Sequence, residues 1–503
     1  MTSSTDSQQQ ATTTTTNSTL LITTANDGDS LNASGGEPHT PLDFIPHVPF
    51  KYHFFLKGTE ISRAILEGIE EMEEFEELQD ILHLFQNDPS KKRFGFPGLE
   101  AAIDNFSEYI RSRNEEGEIS KNFDFYRHLL PKIAHFALEV PENELIEKLP
   151  LMQMNQSVSL SIPPKYVRCI LANAFFLNIS SEIHNHFQKE KEKDYGVLDF
   201  NRLYVCRLDE AVERIICQLS YFYQQAFYGD KLCDQREDIV FTRYNLLPED
   251  EPNWLEMKDI DFSDEEATKN MIRVHCGRME DIPCRGFVDF ANRFIHIGSI
   301  IPSLTQEEVL FSCCPESFLT LLICESLSDS EIIIMKNIIR YSEYTGYLNT
   351  FKFTGLFEPR GHTIDIIIMD AIPKRHFAPE MIKRDLNKAY LGFKNMNYTD
   401  ITTGNWGCGA FGGDITLKLT QQSCAARVTN SVLHYSTFKN EVLKKEMEDI
   451  LHKFTTTKIS ISELYYIMIT YHEYRALNSK AQFKDYLLQE LERKRLDQSQ
   501  KQE

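Results

Sequence analysis

The sequence predicts an α/β protein in which a mixed, three-layer sheet domain follows an all-helical region. Between residues 65 and 227, apolar residues recur at a spacing of three or four, which is the pattern of amphipathic helices. From residue 239 onward the pattern changes to short, β-branched apolar runs separated by helical stretches. Such runs are typical of strands buried on both faces, with helices on each side of the sheet.

The helical region contains three stretches with a clear apolar stripe. The first spans 65–85, and the glutamates between 70 and 77 lie on its opposite face, where a charge run is usually solvated. The other two are expected at 165–178 and 209–227. Their apolar residues indicate core packing rather than a ligand site.

The strands of the sheet are predicted from apolar runs too short to be helices. These runs are 239–241, 272–274, 287–288, 332–335, 364–369 and 432–435. Their length and their content of β-branched residues favour strands.

Composition divides the chain into four segments. Residues 1–43 are rich in Ser, Thr, Gln and Asn and are expected to be disordered, because they cannot bury enough apolar surface. A helical accessory domain is expected at 44–235 and the sheet domain at 236–477. Residues 478–503 are expected to form a charged C-terminal tail, either helical or frayed.

Length and cysteine content indicate an intracellular protein. The chain has 503 residues, of which 42% are apolar, enough for a sizeable core. Its apolar runs fall short of the ~18 residues that a membrane span requires, and no secretory signal is expected. The 11 cysteines show no C-x-x-C spacing, which favours reduced thiols in the nucleus or cytoplasm. No metal or other cofactor is expected, because no ligand cluster has the right spacing.

The net charge excludes one class of partner. At −22 the chain is strongly acidic, and it has no long run of lysine or arginine. Nucleic-acid binders gain affinity from basic patches that neutralise phosphates. Direct binding of DNA or RNA is therefore not expected.

An acidic pair, Glu307-Glu308, stands behind Gln306 at a predicted helix start. The simplest interpretation is a capping box, in which Glu308 reaches back to the amide of Thr305 while Glu307 complements the positive helix end. Neighbouring helix residues point about 100° apart, so these carboxyls cannot easily flank one anomeric carbon as a two-carboxylate glycosidase requires. If the pair is catalytic, one carboxyl must do the acid/base work.

A second segment, residues 403–414, is rich in glycine and contains Trp406. Glycine permits positive φ and lets backbone amides approach a phosphate closely. The segment precedes a predicted helix at 415–422, so it suits a diphosphate cradle at a helix N-terminus. A glycine-rich turn is usually only a turn, and it is the pairing with the acidic segment that is specific.

Taken together, these motifs make the chain resemble the poly(ADP-ribose) glycohydrolases over roughly residues 120–475. The matching stretches are 171–176, 288–294, 305–311, 341–347, 386–390 and 403–414. The resemblance implies a macrodomain with a helical domain beside it, and poly(ADP-ribose) on modified proteins as the substrate. A polyanion would be repelled at long range by this acidic chain, which favours recognition of one terminal unit and attack from a chain end. The protein is expected to be a monomer.

The resemblance also implies roles for individual residues. Glu308 would transfer the proton, Glu307 would hydrogen-bond ribose hydroxyls, and Asp289 would assist as the third catalytic carboxyl. Residues implied to bind substrate are Met279 and Glu280 at the adenine, Asn292 and Gln306 beside the ribose, Tyr344 on the adenosine side, Asn405, Trp406, Gly407, Cys408, Gly409, Ala410 and Phe411 at the diphosphate, and Phe438 near the distal ribose. Tyr341 and Tyr347 are expected to be core residues.

One departure from the family leaves alternatives open. The family carries three consecutive glycines before the acidic pair, and this chain reads His296-Ile297-Gly298 there. β-Branched residues rarely adopt positive φ, so Ile297 is a poor replacement for a glycine that needs it. An active polymer hydrolase is the main hypothesis. A binding-only relative and a hydrolase of single ADP-ribose groups on proteins remain alternatives.

Overall fold

The computed structural model describes most of the chain. The described residues are 22–23, 55–56, 63, 65–69, 72–86, 95–113, 121–180, 198–229, 232–233, 235–295, 304–397 and 400–500. The His296-Ile297-Gly298 departure lies outside them, as do nearly all of residues 1–43. The expectations for those two segments therefore stay predictions.

A mixed sheet forms the centre of the described molecule. The strands, in chain order, are β1 Ile22–Thr23, β2 Phe55–Leu56, β3 Val158–Ile162, β4 Ile179–Ser180, β5 Ile239–Asn245, β6 Ile272–His275, β7 Gly286–Ala291, β8 Glu331–Ile339, β9 Ser342–Thr345, β10 Lys352–Leu356, β11 Thr363–Asp370, β12 Ile401–Thr403 and β13 Leu433–Ser436. Within the described residues, nine of them pair in the order β1-β3-β5-β8-β11-β7-β12-β13-β6. The pairs from β1 to β11 are antiparallel, and those from β11 to β6 are parallel. The mixed α/β fold class is confirmed.

Strand β11 separates the two cores of the molecule. Successive side chains of a strand point to opposite faces, so Ile366 and Ile368 enter the core shared with the helical region. Ile367 and Met369 enter the core on the other face. The continuous apolar run of this strand therefore has the cause that its sequence predicted, burial on both faces.

Helices cover both faces of the sheet. On the N-terminal side they are Phe75–Gln86, Pro97–Ser112, Leu130–Leu138, Glu142–Lys148, Pro164–Phe175, Asn201–Tyr204 and Asp209–Gly229, with a π-helical turn at Phe125–Leu129. In the later part of the chain they are Glu265–Met271, Gln306–Cys313, Thr320–Ile323, Pro379–Lys394, Ile415–Thr429, Glu441–Thr456, Ile461–Leu477 and Phe483–Gln500. The stripes at 165–178 and 209–227 each correspond to a helix, whereas the stripe at 65–85 forms a continuous helix only from Phe75 onward.

One strand of the sheet comes from the segment expected to be all-helical. β3 pairs antiparallel with β5, and its Leu160 and Ile162 are buried. Serines at the intervening positions face away from that core, so this is a half-buried strand with alternating side chains. A search for continuous apolar runs does not detect such a strand.

The C-terminal residues form a docked helix rather than a free tail. In Phe483–Gln500, Phe483, Leu487 and Leu491 are buried in the same core as the strands. The Phe483 ring centroid lies 5.2 Å from that of Tyr471. The charged residues that made this segment look like a tail occupy its solvent-facing side.

Replacing Phe483 with alanine is expected to lower the free energy of unfolding by about 3–5 kcal/mol, because loss of a fully buried ring leaves a cavity. Leu496→Ala is the control on the same helix; its side chain is 51% exposed, and its effect should stay within about 0.5 kcal/mol. Denaturant unfolding measures both. Equal stabilities for the two variants would mean that the C-terminal segment is a tail.

Candidate active site

Gln306 fixes the helix Gln306–Cys313 to the end of β7. Its Oε1 accepts a hydrogen bond from the Phe290 amide at 2.8 Å, and its Nε2 donates to the Val288 carbonyl at 3.1 Å. Both ends of the side-chain amide are thus used on the strand backbone. The structure gives Gln306, predicted to bind substrate, a positioning role.

Glu308 forms the capping box that the sequence predicts. Its Oε2 accepts hydrogen bonds from the amide of Thr305, at 2.7 Å, and from the Thr305 hydroxyl. The side chain is buried, yet no described residue hydrogen-bonds Oε1. Capping and proton transfer are therefore compatible, because the cap uses only one of the two oxygens.

Asp289 and Glu307 are buried beside Glu308, and three of their four carboxyl oxygens have no hydrogen-bond partner among the described residues. Among the described residues, neither oxygen of Asp289 has a partner, nor does Oε1 of Glu307; the other Glu307 oxygen accepts from the Asn292 amide at 3.4 Å. Burial, and then the charge of Glu308, raise the pKa of Asp289 well above its usual range. Burial, Asp289 and Glu308, in that order, do the same for Glu307. These residues form the carboxyl cluster: Asp289, Glu307 and Glu308.

A buried cation from the helical region lies behind this cluster. Arg214 donates from Nε to the Ser312 hydroxyl at 3.1 Å, and Ser312 donates to the Glu308 carbonyl at 2.7 Å. Burial lowers the pKa of Arg214 to about 10, and the nearby charge of Glu308 opposes that fall. Sequence reasoning missed Arg214. The only available signal was a charge within the apolar stripe at 209–227.

The glycine loop, residues 403–414, follows β12 and presents unused amides. The amides of Trp406, Cys408, Gly412 and Gly413 donate within the loop. Those of Asn405, Gly407, Gly409, Ala410 and Phe411 donate to no described residue. Asp414 then caps Ile415–Thr429 by accepting from the Leu417 amide at 2.9 Å. The loop therefore offers an array of free N–H groups next to a helix N-terminus, an arrangement that suits a diphosphate.

Gly407 is the glycine whose conformation the loop requires. Its φ is +72°, and a Cβ there would lie 2.3 Å from the Cβ of Ala371. Gly409, by contrast, has open space where a Cβ would be and needs no positive φ. The two glycines thus have different functions. Gly407 allows the backbone conformation of the loop, and Gly409 leaves open space beside the free amides.

Trp406 anchors the loop in the core and does not face a ligand. The ring is fully buried, its Nε1 donates to the Met369 carbonyl at 2.9 Å, and the Lys418 ammonium lies 4.2 Å from the ring centroid. Its own amide is hydrogen-bonded to Gly404. The prediction that Trp406 binds substrate is therefore replaced by a structural role.

Five charged side chains next to the glycine loop form a group of ion pairs, called here the buried ion cluster. Its members are Asp370, Arg384, Asp385, Lys388 and Lys418. Arg384 contacts both carboxylates, Lys388 contacts Asp370 and Lys418 contacts Asp385. Burial alone would raise the pKa of Asp385, but Lys418 and Arg384 hold it below its usual range. Burial lowers the pKa of Lys388 to about 8.

Comparison with known proteins assigns this architecture to a family. Residues 118–243 match the helical-domain model of poly(ADP-ribose) glycohydrolase, and residues 258–445 match its macro domain model. Together the two models match more than half of the chain. The chain belongs to the poly(ADP-ribose) glycohydrolase family. The expected macrodomain and adjoining helical domain are confirmed.

Curated relatives agree with this family assignment. Poly(ADP-ribose) glycohydrolase 1 of Caenorhabditis elegans is 27% identical over 289 residues, which cover 52% of this chain but only 36% of the relative. The protein of the same name from Arabidopsis thaliana is 24% identical over 490 residues, covering 76% of this chain and 84% of the relative. A crystal structure of the Deinococcus radiodurans glycohydrolase in complex with ADP-ribose is 14% identical, with a TM-score of 0.25 over 40% of this chain and 86% of that one. The family assignment depends on the two domain models and not on that structure.

In this glycohydrolase family member, the tyrosines of residues 341–347, in and around β9, are arranged differently from the sequence prediction. Tyr344 is fully buried, with its ring 5.4 Å from Phe351, whereas Tyr347 is half-buried. The Tyr347 hydroxyl donates to Glu280 Oε1 at 3.1 Å and lies 2.9 Å from the Tyr344 hydroxyl. Tyr341 is a core residue, as predicted. Tyr347, expected in the core, packs against the core but is the one of these three tyrosines that is only partly buried.

The remaining predicted residues of the glycohydrolase site line the same edge of the sheet. Phe438 is 48% exposed, and its ring centroid is 4.8 Å from that of Tyr347. Met279 is buried, and its carbonyl accepts from the Thr402 hydroxyl at 3.2 Å. Cys408 is partly buried, and burial raises its pKa to about 12, so it is not a reactive thiolate.

Two further features bear on the site of this family member. In the part of the chain that the structure describes, no three His, Cys, Asp or Glu side chains are placed to hold a metal ion. No helix among those residues has the length and apolar character needed to cross a bilayer.

Two glycine substitutions should separate structure from binding. Gly407→Ala is expected to lower both stability and ADP-ribose affinity, the latter by about tenfold, because strain of ~1–3 kcal/mol must move the loop. Gly409→Val should leave stability unchanged and weaken ADP-ribose binding, because its side chain enters open space beside the free amides. Calorimetry and denaturant unfolding measure the two effects. Unchanged affinity in Gly409→Val would place the diphosphate elsewhere.

The carboxyl cluster should make stability depend on pH. Because the pKa of Asp289 is raised in the folded state, the fold holds a proton that the unfolded chain releases, and stability falls as pH rises above about 4. Asp289→Asn should therefore increase stability at about pH 8 by more than ~1 kcal/mol, with the gain vanishing near pH 4.

Asp281 provides a contrast of opposite sign. Although burial opposes it, Arg278 holds the pKa of Asp281 below its usual range. Asp281→Asn should therefore lose stability above about pH 4 and lose none at lower pH. Denaturant unfolding across pH measures both variants. Parallel pH profiles for Asp289→Asn and the natural chain would show that Asp289 is ionised in the fold.

Proposed function

We propose that this protein hydrolyses the ribosyl–ribose bonds of poly(ADP-ribose) and releases ADP-ribose, mainly from chain ends. The observation that carries the proposal is the position of the carboxyl cluster at the same sheet edge as the glycine loop. Two of the three buried carboxyl groups, Glu307 and Glu308, lie at the start of Gln306–Cys313, and the third, Asp289, lies on β7; the loop offers free amides. The carboxyl cluster suits glycosidic chemistry, and the free amides of the glycine loop suit a diphosphate.

Glu308 acts as the proton donor to the leaving ribose oxygen. Its cap to Thr305 holds the carboxyl in place and leaves Oε1 available to the substrate. The glycosidic C–O bond breaks through an oxocarbenium-like state, and the leaving oxygen takes the proton. Water then adds to the sugar carbon and returns a proton to Glu308, which restores the acid.

Glu307 and Asp289 orient the sugar. Their raised pKa values favour protonated carboxyls, which can donate as well as accept hydrogen bonds. Such groups can hold ribose hydroxyls that are both donors and acceptors. Keeping these two carboxyls neutral also limits the negative charge around Glu308.

The preference for chain ends follows from the charge of the protein. The net charge of −22 repels a polyanion at long range, so binding must come from local contacts. The free amides of the glycine loop hold one diphosphate, and the Tyr347 and Phe438 rings provide a wall for the adenosine. The same charge supports a protein that does not bind DNA or RNA.

The compartment and the oligomeric state form part of the same proposal. All 11 cysteines are free thiols, which supports a reducing location in the nucleus or cytoplasm. The protein is proposed to act as a monomer.

Glu308→Gln should lower release of ADP-ribose from labelled polymer by about 10²- to 10⁴-fold while changing substrate affinity only a few fold. Glutamine can still cap the helix, so shape is kept and the acid is lost. Turnover of purified protein on labelled polymer, with ADP-ribose resolved by chromatography, measures the effect.

Glu463→Gln is the matched control for this substitution. Glu463 forms the same kind of capping box, with Ser460, at the start of Ile461–Leu477, and that helix start contributes nothing to the carboxyl cluster. This variant should release ADP-ribose at the natural rate. A natural chain that binds polymer without releasing ADP-ribose would instead be a binding-only relative, and equal turnover in Glu308→Gln would remove Glu308 from the acid role.

A further inference from the structure

A cavity lies beside the C-terminal end of the glycine loop. It has a volume of about 950 Å³ and is bounded by the loop after β11 (375–378), the end of the glycine loop (412–414) and the C-terminal part of Ile461–Leu477 with Ser479. The cavity is separate from the residues of the carboxyl cluster.

The side chains of this cavity are mainly basic, although the chain is acidic. Its charged and titratable residues are Arg375, His376, His472, Arg475 and Asp414. Arg375 pairs with Glu380, but no described carboxylate lies within ion-pair distance of Arg475. Asp414 is occupied as the cap of Ile415–Thr429. In a chain of net charge −22, this basic cleft presents the guanidinium of Arg475 and two histidine rings to an open cavity.

The basic cleft and the free amides share the glycine loop. The Gly412 amide donates to the Gly409 carbonyl and the Gly413 amide to the Gly407 carbonyl, each at 3.0 Å. His376 Nε2 donates to the Phe411 carbonyl at 2.9 Å. Residues that line the cleft are therefore hydrogen-bonded to residues that carry free amides. A ligand with several phosphate groups could contact both the basic cleft and the free amides.

We propose that the basic cleft is a second phosphate subsite, which binds a diphosphate of poly(ADP-ribose) outside the terminal unit. The proposal rests on the proposed function, since it assumes that the terminal unit occupies the glycine loop. Polymer fits the cleft better than a small free anion does. Arg375, His472 and Arg475 are exposed side chains around an open cavity, which a long chain can enter sideways, and no enclosed pocket is formed. Exposed charges of this kind contribute modestly each and add up along a polyanion.

The test compares binding of single ADP-ribose with binding of long ADP-ribose oligomers of one defined length. The variant is His472→Gln with Arg475→Gln, made in a Glu308→Gln background so that the ligand survives. ADP-ribose affinity should stay within about twofold, while the Kd for the oligomer should rise about tenfold. The slope of log affinity against log salt should fall by about 1 for the oligomer only.

A control variant removes the same two residue types elsewhere. His452→Gln with Arg495→Gln changes exposed side chains that do not line the cleft. It should bind both ligands with natural affinity. Denaturant unfolding of both double variants checks that each is folded.

The outcomes separate failure of the cleft from failure of the proposed function. Binding is measured without turnover, so a protein that does not hydrolyse polymer can still show the oligomer effect. Equal oligomer affinity in the cleft variant and its control would overturn the proposal, as would equal losses for ADP-ribose and oligomer. A third arm uses inorganic pyrophosphate. If the cleft variant loses a pyrophosphate site and keeps its oligomer affinity, the cleft binds small anions and the polymer assignment is wrong.

Discussion

The buried ion cluster is the set of contacts on which the catalytic edge of the sheet depends. Asp370 ends β11, Arg384, Asp385 and Lys388 lie on Pro379–Lys394, and Lys418 lies on Ile415–Thr429. Their ion pairs therefore join one strand and two helices at the point where the glycine loop begins its turn. Lys418 also lies over the Trp406 ring, so a shift of the loop would disturb a contact with a member of the buried ion cluster.

The cluster specifies geometry more than it adds stability. An apolar replacement of a buried ion pair is often neutral or stabilising, whereas removal of one partner costs about 3–5 kcal/mol. Three cations surround the two carboxylates Asp370 and Asp385, and nearly every polar end is used. The value of such a cluster is that only one arrangement of the helices satisfies it. That arrangement places the free amides of the glycine loop at the same edge as the carboxyl cluster.

The carboxyl cluster differs from the buried ion cluster, because its buried carboxyl groups are not paired with any described cation. Asp289 and Glu307 have no cation within ion-pair distance among the described residues, and each has an oxygen without a partner. Burial and mutual repulsion then raise their pKa values, and the nearby Asp370 adds to the effect on Glu307. Unsatisfied buried carboxyls destabilise a fold, so their presence at the end of β7 marks a candidate functional site. The two clusters together explain how one sheet edge is rigid and reactive at once.

The sequence by itself determined what depends on near neighbours in the chain. Apolar periodicity predicted the sheet and the flanking helices, and the three-residue spacing of Thr305 and Glu308 predicted a capping box that the structure contains. Tertiary structure decided which residues far apart in the sequence come into contact. The Ser312 hydroxyl accepts a hydrogen bond from Arg214, 98 positions away in the sequence. Only packing shows that Tyr344 is fully buried while Tyr347 is partly buried and bonds Glu280. Local pattern records which way a side chain points relative to its own element, and it carries no information about which partner the folded chain brings to that side.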